Sequence, residues 1–129
     1  MEKIKEIIDY WLKCAKEDFK VMDHLFEKGD YHYSLFLGHL LLEKTLKAYY
    51  VKKTHKHAPF THRLTYLAEN SNLKLSEEQL SLLEAANQFN LEARYPDKKF
   101  EFYKVCTKNF TSSYLVKIKD FYQWLLIQI

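Results

Sequence analysis

Phe36-Leu37-Gly38-His39-Leu40-Leu41-Leu42-Glu43-Lys44-Thr45-Leu46-Lys47-Ala48 is the stretch that decides the fold class of this chain. Tyr31, Ser34/Leu35, Gly38, Leu41/Leu42, Thr45/Leu46 and Tyr49 recur at helical spacing and form one stripe. Phe36, Leu37, Leu40 and Ala48 add a second face. A helix that is apolar nearly all round must have neighbours on most sides, so the predicted helix, about 30–53, is a central one. Gly38 inside it costs roughly 1 kcal/mol against Ala. A close crossing with another helix accounts for a residue without a side chain there.

The flanking segments follow the same rule. Ile4, Ile7, Ile8, Trp11, Leu12, Ala15, Phe19, Met22 and Leu25/Phe26 predict a first helix over about 2–28. Gly29 supplies its stop, and Asp30 stands where the second helix needs a cap. A basic, His-rich loop with Pro59 spans about 52–61, and Thr61 is placed to cap a short helix holding Leu64, Leu67 and Ala68. A turn falls at 70–72. Ser76-Glu77-Glu78-Gln79 has capping-box spacing and opens a helix to about Phe89. The stretch 91–98 breaks the pattern, because Pro96 disfavours helical geometry at Tyr95. A last helix over about 99–126 carries Cys106, Phe110, Tyr114, Ile118, Phe121 and Leu125 on its stripe. The expectation is an all-α, up-and-down helical bundle of four main helices and one short one, a single domain over residues 1–129.

Composition agrees. Two Gly and two Pro in 129 residues are too few for the turns of an all-β fold. A 47% hydrophobic content is too high for a disordered chain. The formal charge of +3 permits a polyanionic partner without requiring one. Eighteen of the twenty basic residues are Lys, so the two Arg, Arg63 and Arg94, stand out as candidates for bidentate phosphate or carboxylate contacts. Cys14 and Cys106 fall inside helical apolar patterns and read as buried thiols. The first 25 residues mix acids and bases with no apolar core of a leader, and no apolar run approaches the ~20 residues of a membrane span. A cytoplasmic setting, with no membrane partner, is expected.

Four short pieces, in order, resemble the HEPN family. Ala15-Lys16-Glu17-Asp18 resembles its Ala-x-x-Asp, and Glu43-Lys44-Thr45-Leu46-Lys47-Ala48 its Glu-Lys-x-Leu-Lys-Ala. Thr61-His62-Arg63-Leu64 with Leu67 resembles its Thr-His-x-Leu-x-x-Leu, and Ala93-Arg94-Tyr95-Pro96 the matching segment of the branch often encoded beside minimal nucleotidyltransferases. The resemblance covers about 5–125. It implies a helical bundle, frequent dimers and a link to nucleotide or RNA chemistry. The family's ribonucleases place an Arg four to six residues before a His, supplying a cation for phosphate and a base for the ribose hydroxyl. Here the last His is His62 and the only Arg are Arg63 and Arg94, so no Arg precedes any His and that pair is absent.

Candidate ligand residues are Arg94, Tyr95 and Asp97 in the irregular segment, with His39, Glu43, Lys44 and Lys47 on the second helix. His39 and Glu43 share a helix face, so Glu43 would orient the imidazole; the plainer reading is a satisfied polar pair. Lys44 and Lys47 would meet a phosphate, or Lys47 simply pairs with Glu43 one turn back. Arg94 would read phosphate with Tyr95 stacking on a base and Asp97 positioning the guanidinium. Alternatively it salt-bridges Glu43 or Asp18 and pins the loop. His55, His57 and His62 lack a Cys or fixed carboxylate, so no metal or other cofactor is expected.

Nothing here holds a nucleotidyltransferase or P-loop site, since both need Gly-rich turns on strands. The leading expectation is a binding module for a nucleotide or nucleic-acid phosphate that works with a separately encoded nucleotidyltransferase, in the manner of a toxin–antitoxin pair. It would act as the substrate-binding half or as the modified partner, with Tyr95 as one acceptor. The alternatives are a ribonuclease toxin with a non-standard site around His39, Glu43 and Arg94, and a homodimeric interaction scaffold without a small ligand.

Overall fold

The computed structural model describes residues 2–129, apart from the side chains of Glu2, Pro96 and Asp97. Six helices follow in order: α1 Glu2–Glu27, α2 Tyr31–Thr54, α3 Leu64–Asn70, α4 Glu77–Arg94, α5 Pro96–Val105 and α6 Lys108–Leu126. Among the described residues there is no strand. The fold is an all-α bundle, as the periodicity predicts. No helix is long and apolar enough to cross a membrane.

The α1–α2 turn is built by Gly29. Its φ of 84° lies in the left-handed region, where a side chain would be strained. The amide of Asp30 donates to the Leu25 carbonyl at 2.9 Å and that of Gly29 to Phe26 at 3.1 Å, a Schellman closure. Asp30 sits at the cap position of α2, but its carboxylate accepts no capping hydrogen bond. The chain reverses, and α2 lies along α1.

α2 is the central helix and packs on each of the other five. Leu35, Leu41, Leu42, Leu46 and Val51 are fully buried. A Cβ added at Gly38 would lie 2.7 Å from Ile118 Cδ1 and 3.5 Å from Met22 Sδ. That position is where α6 crosses α2 closely, which explains the mid-helix glycine.

Besides the uncapped start of α2, the structure differs from the sequence reading in three places. The Ser76–Gln79 capping box forms as predicted, but α4 runs on through Arg94. Only Tyr95 is extended (φ −94°, ψ 121°), because proline restricts the residue before it. Pro96 then takes the first turn of α5, where its missing N–H costs nothing. Second, the predicted last helix is two helices. The Thr107 hydroxyl accepts from the Phe110 amide at 3.2 Å and starts α6 afresh, so Cys106 lies in a break. Third, Thr61 does not cap α3. Its hydroxyl accepts from the Arg63 amide, while the Leu64 amide donates to Asn87 Oδ1 of α4 at 3.0 Å. The bundle is therefore six helices, with the expected last one split. Cys106 is buried and Cys14 half-buried, both as free thiols. Burial pushes the Cys106 thiol up to about 12, with the Glu92 charge adding to it.

Candidate functional site

The α2 candidates converge on a connected polar chain inside the bundle. His39 is fully buried. Its Nε2 lies 2.8 Å from the carbonyl of His62, which can only accept, so Nε2 carries the proton. Its Nδ1 then accepts from Asn90 Nδ2 at 3.2 Å. Both ring nitrogens are used, and the ring is neutral. Burial holds its pKa below the usual 6.5, against the opposing pull of the His62 carbonyl and the Glu43 charge.

Glu43 does not hydrogen-bond His39; that contact is 4.0 Å. The His39–Glu43 pair read from i,i+4 spacing gives way to longer-range partners. Glu43 Oε1 accepts from His62 Nδ1 at 2.8 Å, and Oε2 accepts from Lys47 Nζ at 3.1 Å. Glu43 and Lys47 are both buried, while the His62 side chain is 59% exposed. The Lys47 ammonium also lies 5.1 Å from the centre of the Trp11 ring. Lys44 Nζ donates to Asp18 Oδ2 at 2.6 Å, so the second and first sequence pieces meet across the α1–α2 interface. Each of the four α2 candidates thus has a defined protein partner.

Arg94 is elsewhere and is treated differently. It ends α4, is exposed, and makes no ion pair among the described residues. Neither Glu43 nor Asp18 reaches it, because both are already paired with lysines. Its guanidinium carbon lies 5.8 Å from the centre of the Tyr95 ring. Tyr95 is exposed, and the Asp97 side chain lies outside the described residues. α5 carries a set of groups that the sequence reading did not single out. Lys99 Nζ lies 4.9 Å over the Tyr33 ring, and Phe100 and Tyr103 are exposed beside it on the same helix. His32 lies between Tyr33 and Tyr103, with ring centroids at 4.1 and 5.1 Å. His32 Nδ1 is buried without a hydrogen-bond partner among the described residues. Burial, and then the Lys99 charge, lower its pKa. The signal for this cluster was in the sequence as Tyr, Phe and Lys between Tyr95 and Lys104. Its Lys99–Lys104 part falls in the predicted long last helix and its Tyr95–Lys98 part in the predicted irregular segment, so the two do not show as one face in the sequence.

Two further features bear on function. A groove of about 730 Å³ between the start of α4 and the end of α6 is lined by Glu77, Leu82, Tyr114, Phe121 and Trp124, and it includes none of the candidate residues. No group of three or more His, Cys, Asp or Glu side chains is arranged to hold a metal ion among the described residues.

A family model described as the HEPN domain matches residues 8–128, nearly the whole chain. No curated protein and no solved structure matches it.

Proposed function

The chain belongs to the HEPN domain family, and from that premise we propose that it is a binding module for a nucleotide or nucleic-acid phosphate at the α4–α5 junction. The family's general tie to nucleotide and RNA chemistry supports the ligand class. The observation that carries the site is the placement of Arg94 and Lys99. Each lies over an exposed or half-exposed tyrosine ring, and neither has a carboxylate partner among the described residues. Cations held this way keep most of their charge for an incoming phosphate. Flat rings beside them offer a surface for base stacking, worth about 1–3 kcal/mol per base.

His39, Glu43, Lys44 and Lys47 remain part of the proposed module as its support. Their pairs tie α1, α2, α4 and the loop before α3 into one body, and Tyr33 and His32 rise from the same α2. Asp97 is proposed to position Arg94. The module works with a separately encoded nucleotidyltransferase, in a toxin–antitoxin-like pair, without catalysis by the Arg/His arrangement, which the sequence lacks.

A thermal-shift titration of the chain with ATP, GTP and a short single-stranded RNA tests this reading. Selective binding to the folded state raises stability, by about 2.7 kcal/mol at a hundredfold excess over Kd. A saturable rise in Tm that disappears in Arg94→Ala is the expected result. No shift with any of the three at millimolar ligand sinks it.

A second reading has its own observation. Phe100 and Tyr103, one turn apart on α5, are 72% and 60% exposed, and an apolar face of this kind favours a homodimer or protein partner. Light scattering of the wild type and of Phe100→Glu separates the two. A dimer dissolved by the substitution, in a protein that ignores nucleotides, replaces the first reading with the second.

A further inference from the structure

Glu43, in the middle of α2, and His62, in the loop before α3, lie away from the α4–α5 junction. Glu43 is ten residues along the helix from Tyr33, about 15 Å at 1.5 Å per residue. Their geometry is that of an oriented imidazole. The Glu43 carboxylate is buried, and Lys47 holds its second oxygen. Its first oxygen takes His62 Nδ1–H at 2.8 Å. In the neutral ring this leaves the lone pair on Nε2, and no described residue hydrogen-bonds that nitrogen. The side chain is 59% exposed, and the neighbouring Phe60 is fully exposed in the same loop. The backbone under the ring is also fixed, since the His62 carbonyl accepts from His39. A nucleophile oriented by a third group is the arrangement covalent catalysis uses. Here, though, His62 does not line the groove between α4 and α6, and its side chain stands 59% exposed. An imidazole on an open surface does not enclose a substrate. One this exposed is open to a phosphoryl donor that arrives from outside the chain.

We propose that His62 Nε2 is a phosphoryl-acceptor site, with the buried Glu43 carboxylate as its positioning residue. The donor class is a phosphoanhydride or phosphoramidate. The Nε2 lone pair attacks phosphorus and forms the N–P bond. The donor's bond from phosphorus to its leaving oxygen or nitrogen breaks, and the leaving group departs with that electron pair. The ring becomes an imidazolium whose Nδ1 proton stays on the Glu43 hydrogen bond, so the carboxylate offsets the new charge. Nothing is oxidised or reduced. Lys47 keeps the carboxylate aimed while this happens.

The test treats the folded chain with potassium phosphoramidate near neutral pH and reads the product by ³¹P NMR and by peptide mass spectrometry under alkaline handling. The exposed His24, His55 and His57 serve as internal controls. His62 is expected to be labelled on Nε2, about tenfold faster than the three controls, with His39 unlabelled. Glu43→Gln is expected to slow His62 about tenfold, the loss of a charge-assisted hydrogen bond, while the controls keep their rates. His62→Gln removes the signal with an unchanged circular-dichroism spectrum. Labelling of His62 no faster than the controls, or on Nδ1, overturns the proposal. That comparison uses the wild type and holds even if Glu43→Gln fails to fold. A folded Glu43→Gln that reacts at the wild-type rate removes Glu43 from it.

Discussion

The middle of α2 and the junction of α4 with α5 both carry cationic side chains and use them in opposite ways. Around Glu43 every charge has its complement: Lys47 and His62 on the two carboxylate oxygens, and Lys44 on Asp18. Glu43 and Lys47 are buried and pair within α2, while the partly buried Lys44–Asp18 pair and the more exposed His62 tie α2 to elements far off in sequence. At the junction, Arg94 and Lys99 lie over tyrosine rings near solvent. The difference follows from desolvation. A buried cation must be neutralised by protein, whereas a cation at the surface is neutralised by water and is available to an incoming anion. The Lys- and Glu-rich motif of α2 therefore serves as internal support, whereas the Arg94 segment, the proposed ligand surface, leaves its cations to solvent.

The comparison breaks most visibly at Glu43. Glu43→Ala strands a buried Lys47 and is expected to cost about 3–5 kcal/mol in urea denaturation. A loss under 1 kcal/mol, on the order of an exposed pair, would place the α2 pairs in the same class as surface charges. Asn90→Ala comes next. It removes the donor to His39 Nδ1 and leaves a buried acceptor unsatisfied, for about 1–3 kcal/mol by the same measurement.

The pH dependence sharpens the interior side. Burial lowers the pKa of His39 and of His32, so the fold favours their neutral forms. Below the usual 6.5 the unfolded chain takes up protons that the folded chain refuses. Their contribution is thus fully present above 6.5, is lost as pH falls toward the depressed folded values, and levels off beneath them. The denaturation midpoint should fall on acidification through this window, and His39→Gln should flatten that slope. A midpoint that rises instead contradicts a neutral buried His39.

The smallest stability effects belong to the partly and fully exposed groups. Lys44→Ala, from a pair only partly buried, is expected to cost about 1 kcal/mol or less. Arg94→Ala should change stability by less than about 0.5 kcal/mol while abolishing any nucleotide-induced rise in Tm. A stability loss at Arg94 as large as that at Glu43 would make the junction another structural pair and erase the contrast.

Much of the candidate site could be read in the sequence, but not its pairings. Glu43, Lys44, Lys47 and His39 stood out by position on one helix, yet local spacing suggested His39–Glu43. The structure pairs Glu43 with His62, nineteen residues on, and His39 with Asn90, fifty-one residues on. His62 stood in the sequence in Thr61-His62-Arg63-Leu64 and in the set His55, His57 and His62, neither of which points to Glu43. The α5 cluster was hidden because the sequence pattern splits it, with 91–98 outside any helix and the residues from 99 joined to the last helix, and the Thr107 cap that separates α5 from α6 shows only in the structure.

The sequence by itself determined the all-α class, the central rank of α2, the Gly29 stop, the Ser76 capping box, the family motifs and the lack of an Arg ahead of any His. Each of these depends on residues within one or two helical turns, where backbone geometry fixes which side chains meet. Only the tertiary structure decided that Glu43 serves His62, that Asn87 caps α3, and that among the described residues Arg94 finds no carboxylate and His32 Nδ1 no hydrogen-bond partner. Those outcomes depend on where helices cross and how much water each crossing excludes, and a one-residue shift in a crossing would reassign every partner.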